Sequence, residues 1–323
     1  MKKKNTPVTL AVLLGVFGVA CACGLGRASQ AADQPPSPVH DTSGREGTGR
    51  RDGQAVQGED MKTVFNEVER ESKSFTVNGT PRINIENFEG SVKVSAWDKP
   101  EVAVTAVKTA IDKKALGSIR LSAAQRGGVV NVETKFTQPL RVIRLGGTHM
   151  HTRGAYVELE ISVPRNANLR VTSGNGPLSV AGVSGEVNLR TEHGPIDVND
   201  GRGRLSAFTN NGLVSIINFE GEVDASEMGR DGMVLEGRFA QLKALTGGGP
   251  ISLALPADTN ANIEANTRNV INDGLNATEE STSTTEVRRL KLGNGGPLFT
   301  LRTNSGTLTL RPIGGARASA GAK

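Results

Sequence analysis

The sequence predicts an all-β fold, a single-stranded β-solenoid with coils of about 18 residues. Three observations lead there. The segments "SGNGPLSV", "EHGPIDV" and "NNGLVSI" begin at Ser173, Glu192 and Asn210, and their glycines Gly176, Gly194 and Gly212 stand 18 residues apart. The apolar residues around each glycine alternate with period two, as in strands with one buried face. The 323 residues include 40 glycines, while aromatics make up only 3%. Many tight turns and few large core anchors suit short stacked strands, not a helical bundle.

Residues 1–20 read as an export signal, with basic Lys2, Lys3 and Lys4 ahead of an apolar run from Val8 to Ala20 that is too short to span a bilayer comfortably. Val19-Ala20 before Cys21 resembles a bacterial lipobox. That resemblance implies cleavage before Cys21 and lipid attachment to its sulfur, hence a membrane anchor. Gly18 departs from the usual leucine, Cys23 is a second candidate, and plain secretion with a cut after Ala22 or Ala31 is the other reading. No cysteine lies in the rest of the chain, which excludes a disulfide framework. Residues 21–60 are polar and rich in Gly, Pro and Ser, and read as a disordered tether. Residues 61–74 are a short lead-in.

The repeat domain spans residues 75–313. With the first apolar residue of a unit at offset zero, apolar positions fall at offsets 0, 2, 9 and 11: Leu169, Val171, Leu178 and Val180, then Val187, Leu189, Ile196 and Val198, then Leu205, Ala207, Val214 and Ile216. Glycine takes offset 7 at Gly90, Gly176, Gly194, Gly212, Gly249 and Gly306, which are read as turn glycines. A second series, Gly185, Gly203 and Gly221, turns the chain into the next unit. The unit at Val223 is looser: Ala225 and Val234 fit, but Arg230 stands at offset 7 and the glycine has slid to Gly232. The same grid returns at Ile83 and at Phe299. One unit cannot cover its apolar residues alone, whereas stacked units can. A sandwich of hairpins is the other architecture the turn spacing allows, and equal offsets from unit to unit favour the solenoid. Residues 314–323 read as a disordered tail.

Two inserts break the grid, at 134–153 and 275–295. The first gathers Arg141, Arg144, His149, His151 and Arg153 with little acid nearby in sequence. Such a basic ridge suits an anionic glycan or an acidic envelope protein, or else guards an exposed sheet edge. Two histidines alone do not close a metal site, so no metal or cofactor is expected. The second insert reads as an exposed loop with a short strand.

The formal charge of +5 falls to about +2 without the three leading lysines, and no basic face with interleaved aromatics points to nucleic acid. His193 occupies a turn position filled elsewhere by Asn175, Asn211, Gly248 and Ser305, so it reads as a turn variant and not as a catalyst. Nucleophile elbows, phosphate loops and zincin motifs do not occur. The enzyme reading that survives is a polysaccharide lyase or hydrolase using Asp197, Asp200, Glu220, Glu222 or Asp224.

"INIENFEGSVKVSAWDKPEVAVTA", "YVELEISVPRNANLRVTSGNGPLSV" and "ISLALPADTNANIEANTRNVI" resemble the "putative adhesin" family of bacterial cell-envelope proteins, with Trp97-Asp98 and Val163-Pro164 as the more specific elements. The resemblance covers about residues 75–313. It implies a β-solenoid, an envelope location and no known catalysis, and it brings no set of functional residues. Val270 departs from it where a glycine is expected, and so does the His- and Arg-bearing insert. The function expected is therefore a non-enzymatic, lipid-anchored envelope scaffold or adhesin-like binding surface.

Overall fold

The computed structural model describes residues 65–145, 148–280 and 287–314. The export signal, Cys21, Cys23, the tether and the tail from residue 315 lie outside them. The chain divides into two units, one made of Phe65–Ile143 and Met150–Lys323, the other of Met1–Val64 and Arg144–His149. In the latter, Arg144, Leu145, Thr148 and His149 are extended. The former carries the stacked sheets.

The described residues are all-β apart from one helical turn. In chain order they form β1 (Glu67–Thr76), β2 (Arg82–Asn87), β3 (Val92–Trp97) and β4 (Glu101–Ala110). The turn α1 (Lys113–Leu116) follows, capped by the Asp112 carboxylate, which accepts the Ala115 N–H at 2.6 Å. Next come β5 (Ile119–Arg126), β6 (Val129–Phe136), β7 (Arg141–Leu145), β8 (Thr148–Thr152) and β9 (Ala155–Pro164). The regular repeat supplies β10 (Asn168–Asn175), β11 (Leu178–Ala181), β12 (Ser184–His193), β13 (Ile196–Asn199), β14 (Arg202–Asn211), β15 (Val214–Glu227), β16 (Met233–Thr246) and β17 (Ile251–Leu255). The chain ends in β18 (Ala261–Asn266), β19 (Asn269–Asn272), β20 (Ala277–Glu280), β21 (Val287–Leu292), β22 (Leu298–Thr303) and β23 (Thr307–Pro312).

In the regular region each strand pairs in parallel with its counterpart 18 residues on: Leu169 with Val187, Val187 with Leu205, Leu205 with Val223, and likewise Leu178 with Ile196 and Ile196 with Val214. Two rows result. The first runs β5-β6-β2-β10-β12-β14-β15-β16-β22-β18-β21-β20. The second runs β1-β4-β9-β3-β11-β13-β15-β16-β17-β23-β19. The 14-residue strands β15 and β16 belong to both. Both rows bury their inner residues in one aliphatic core. Each such Val, Leu or Ile contributes about 1.5–3 kcal/mol of burial.

The expectation of one strand wound in chain order is corrected at both ends. The pair β6/β9 lies outside β2/β3, although it comes later in the chain. The pair β22/β23 returns between β16/β17 and β18/β19. Antiparallel strands flank these outer pairs, with β1–β4 and β5 at one end and β20–β21 at the other. All these units carry the same apolar grid, so local sequence does not say which neighbour each will choose. The insert read as an exposed loop at 275–295 is largely this β20–β21 hairpin, and it buries Leu290 and Leu292. The folded body also starts earlier than residue 75, because all of β1 pairs with β4.

A second correction concerns Val234. The turn after β15 holds one extra residue, so Leu235, not Val234, stacks on Ile216, and Met233 stacks on Val214. A one-residue slip exchanges the faces of a strand. Met233 and Leu235 are buried, and Val234 turns outward. Gly232, with φ 85°, takes the turn.

The turns explain the glycines. Gly194 has φ 145°, and a β-carbon there would lie 2.2 Å from the carbonyl oxygen of Gly176 one coil below. Gly90, Gly176 and Gly212 share this geometry. At Gly249 and Gly306 the close approach of backbone alone excludes a side chain.

Four residues past offset zero runs a column that the sequence reading missed: Asn87, Thr134, Ser173, Thr191, Thr209, Glu227, Thr246, Thr267 and Thr303, all buried. Apart from Thr134, which donates to Asn87 Oδ1, and Glu227, which accepts the Gly232 N–H, their side chains serve the turn carbonyls. Thr209 Oγ1 donates to the Asn211 and Gly194 oxygens at 3.0 and 3.1 Å, and Thr246 and Thr303 both reach the Gly249 oxygen, at 2.7 and 3.0 Å. The Asn211 oxygen also accepts the Gly194 N–H, whereas the Gly194 and Gly249 oxygens turn away from the ladder and are satisfied by this column. Glu227 is the one carboxylate in it.

At the first end, Lys108 on β4 is buried and donates to Glu69 and Glu71 on β1 at 2.8 and 2.9 Å. Burial pulls the Lys108 pKa down, but the hydrogen bonds from the two carboxylates outweigh it and the pKa stands above the ordinary lysine value. The Lys108 hydrogen bond, partly offset by burial, holds Glu71 below the ordinary glutamate value.

Two outcomes are expected. Gly194→Ala lowers stability by about 1–3 kcal/mol in urea titration, from strain at positive φ, and the overlap with the Gly176 oxygen adds to that loss. The Glu71 contribution is present above the ordinary glutamate pKa of about 4.3 and is lost as pH falls through its lowered folded value. Glu71→Gln therefore removes on the order of 1 kcal/mol near neutrality and flattens the acid limb of the stability profile measured by thermal melts.

Candidate binding face

Parallel register places equal residues above one another, about 4.8 Å apart. On the outer side of the first row, the positions flanking offset zero are polar. They are Arg82 and Asn84 on β2, Asn168 and Arg170 on β10, Glu186 and Asn188 on β12, and Arg204 and Ser206 on β14. Because their strand-mates point into the core, these side chains have only the outer face to occupy.

Two grooves mark this face. One, of about 520 Å³, is lined by Arg82, Asn84, Glu86, Asn131, Asn168, Arg170, Glu186 and Asn188. Asn84 Nδ2 donates to Asn131 Oδ1 at 2.8 Å, and Asn168 Oδ1 accepts the Glu186 N–H at 3.0 Å. The Arg82 and Arg170 guanidiniums have no ion-pair partner among the described residues. The other groove, of about 560 Å³, is lined by Arg204, Ser206, Glu222, Asp224, Gln241, Lys243, Leu298 and Thr300. Its charges are spent on each other: Arg204 pairs with Glu222 at 2.8 Å and Lys243 with Asp224 at 3.2 Å. Between the two, Arg190 stacks on Phe208, 4.2 Å from the ring centre. The first groove thus offers amides and guanidiniums with free hydrogen-bonding capacity, and the second offers a neutralised surface.

The carboxylates considered for a lyase or hydrolase do not converge. Glu220 pairs with Arg202 at 2.6 Å, Glu222 with Arg204 and Asp224 with Lys243. Asp200 accepts from Asn218 Nδ2 at 2.6 Å. Each partner stands 18 or 19 residues away, one coil along. Asp197 lies on the second row, where burial raises its pKa.

His193 pairs in register with Asn211, whose Nδ2 lies 3.1 Å from His193 Nδ1. It is an exposed member of a turn column.

In the first insert, Thr134 still belongs to β6 and to the buried polar column. Arg141 and Arg144 lie on β7 and His149 and His151 on β8, and the two strands form a separate two-stranded sheet. Arg153 follows β8 and meets Glu89 at 3.4 Å, so the expectation of an arginine without nearby acid is corrected there. Glu89 sits on the β2–β3 turn, 64 residues earlier, and is close only because β9 lies beside β3. Burial raises the Glu89 pKa against the pull of Arg153.

The groove residues were not singled out from the sequence. Their signal was the recurrence of Asn84, Asn131, Asn168 and Asn188 beside apolar offsets, which a solvated strand face also shows.

No protein-family model matches the chain, and no curated protein matches it. Among solved structures it is similar to a "putative cell adhesion protein" of Clostridium sporogenes, at 10% identity and a TM-score of 0.35 over 76% of this chain and 100% of that one. It is also similar to a "putative adhesin" of Bacteroides fragilis, at 9% identity and a TM-score of 0.42 over 76% and 97% of the two chains. A "putative lipid binding protein" of Parabacteroides distasonis matches at 11% identity and a TM-score of 0.35 over 76% and 98%.

The turn-column geometry makes His193→Ala nearly silent. Its unfolding free energy is expected within about 0.5 kcal/mol of wild type in urea titration.

Proposed function

We propose that this protein is an exported, non-catalytic envelope protein, lipid-anchored through Cys21, whose β-solenoid stack serves as a glycan-binding surface of adhesin-like type. The observation that carries the reading is the groove on the outer face of β6, β2, β10 and β12. There, four amides and two unpaired guanidiniums are held on a parallel sheet of fixed register. Planar amide and guanidinium groups bond adjacent hydroxyls of a sugar in pairs, and a rigid sheet spares the entropy of ordering them. The groove lies open along the stack, which suits an extended polymer. The carboxylates that a polysaccharide-cleaving enzyme needs at one point are instead tied coil to coil in ion pairs and hydrogen bonds.

The test is retention of the full chain on isolated envelope polysaccharide. Arg170→Ala combined with Asn188→Ala is expected to weaken retention at least about tenfold, the equivalent of about 1.4 kcal/mol, with the melting temperature unchanged. Arg141, Arg144 and Arg153 changed together to Gln give the comparison for the β7–β8 hairpin. If the groove variant is retained as wild type and the hairpin variant is lost, the binding face is the hairpin. If neither changes, the reading fails.

A further inference from the structure

We propose that the enlarged turn between β15 and β16 is a calcium site, with Glu227, Asn211 and the Asn210 carbonyl supplying oxygen ligands and Asp231 a second negative charge. Three features coincide there and nowhere else among the described coils. The buried polar column, elsewhere Ser, Thr or Asn, holds a carboxylate at Glu227. The turn holds one residue more than its neighbours, shifting Met233 onto Val214. Glu227 is fully buried, yet its Oε1 has no hydrogen-bond partner.

A buried carboxylate oxygen without a partner is costly. Glu227 Oε2 accepts the Gly232 N–H at 3.3 Å, and the Gly229 and Asp231 amides also stabilise the carboxylate against burial, while Oε1 itself makes no hydrogen bond. Other oxygens converge with it. Around the bare α-carbon of Gly229, the position a β-carbon would fill lies 2.6 Å from Glu227 Oε1, 2.8 Å from Asn211 Oδ1 and 3.1 Å from the Asn210 carbonyl oxygen. Asp231 stands in the same turn, its Oδ2 accepting the Gly212 N–H at 2.8 Å. An open groove of about 440 Å³, lined by Asn211, Met228, Gly229, Arg230, Asp231 and Gly247, reaches the Asn211 and Asp231 side of the cluster, with Glu227 buried behind it. Arg230, the one cation of the turn, packs beside Gly248 and leaves the cluster with a net negative charge.

The donor set selects the ion. Every ligand is a hard oxygen, from carboxylate, amide and backbone carbonyl, and the arrangement is irregular. Calcium accepts such mixed and uneven coordination, whereas magnesium requires a near-ideal octahedron and soft metals prefer nitrogen or sulfur. The cluster shares no residue with the groove proposed to bind polysaccharide, so this inference stands independently of the glycan reading.

The test uses the full chain, dialysed against chelator and titrated with calcium chloride by calorimetry, with melting curves in parallel. One calcium per chain is expected, with a dissociation constant on the order of 0.1–1 mM, as for extracellular modules, and a higher melting temperature in calcium than in chelator. Glu227→Thr, which restores the residue type of the column, is expected to abolish binding. Asp231→Asn is expected to weaken it at least about tenfold. No heat of binding and no melting shift for wild type overturns the proposal. So does calcium binding that survives Glu227→Thr at full strength. If Glu227→Thr does not fold, Asp231→Asn and Asn211→Ala decide in its place: unchanged affinity in both overturns the site, and loss in either supports it.

Discussion

Backbones passing within van der Waals distance of one another at the corners set the terms for the whole stack. A coil of about 18 residues must reverse direction twice, and each reversal rests on the reversal below it. Carbonyl oxygens of one coil lie where a β-carbon of the next would stand, at Gly176 beneath Gly194, at Gly194 beneath Gly212 and at Gly185 beneath Gly203. Glycine at those points is the condition for parallel strands to keep their 4.8 Å spacing around a bend. Once that spacing holds, register follows, and register places apolar side chains above apolar ones, hydroxyls above hydroxyls and acids beside bases.

The corner also creates the demand that the buried polar column meets. Carbonyls that turn away from the ladder need donors, and a strand-borne Thr four residues past the first core position delivers one from inside. The same geometry neutralises the outer face. Arg202 with Glu220 and Arg204 with Glu222 are contacts between adjacent coils, so charge on this surface is balanced by design of the register. The groove at β6, β2, β10 and β12 holds Glu86 and Glu186 as well as Arg82 and Arg170, but these arginines are not drawn into ion pairs among the described residues, and it is there that the surface has hydrogen bonds left to give.

Much of this was legible in the sequence, because a repeat writes its core in columns. Offsets 0, 2, 9 and 11 mark buried residues in the units at Ile83, Leu169, Val187, Leu205, Leu242 and Phe299. What the columns do not carry is neighbour identity. Ile83 fits equally well against any other unit, and only three-dimensional pairing shows that Val130 lies on one side of it and Leu169 on the other. Val234 was misplaced because one added turn residue is invisible to a period-two pattern that contains apolar residues at both parities, here Met233, Val234 and Leu235. The polar column was hidden by chemistry: Thr on a strand reads as surface until its carbonyl partner is known. Arg153 and Glu89, far apart in sequence, show the same limit for charge.

The displaced order of the end pairs bears on how the molecule comes apart. In a stack laid down in chain order, the last coil has one interface and frays like the end of a rope. Here β22 is held by β16 on one side and β18 on the other, and β23 by β17 and β19. Unwinding the late strands therefore means breaking two parallel ladders at once, and removing β18 and β19 first leaves them still tied to the core through the connecting chain. The mirror-image arrangement of β2 and β3 between β6, β9 and β10, β11 seals the other end. The strands left with a single ladder are β1 and β5 at one end and β19 and β20 at the other, so fraying is expected to start there and to stop at the doubly paired β2, β3, β22 and β23.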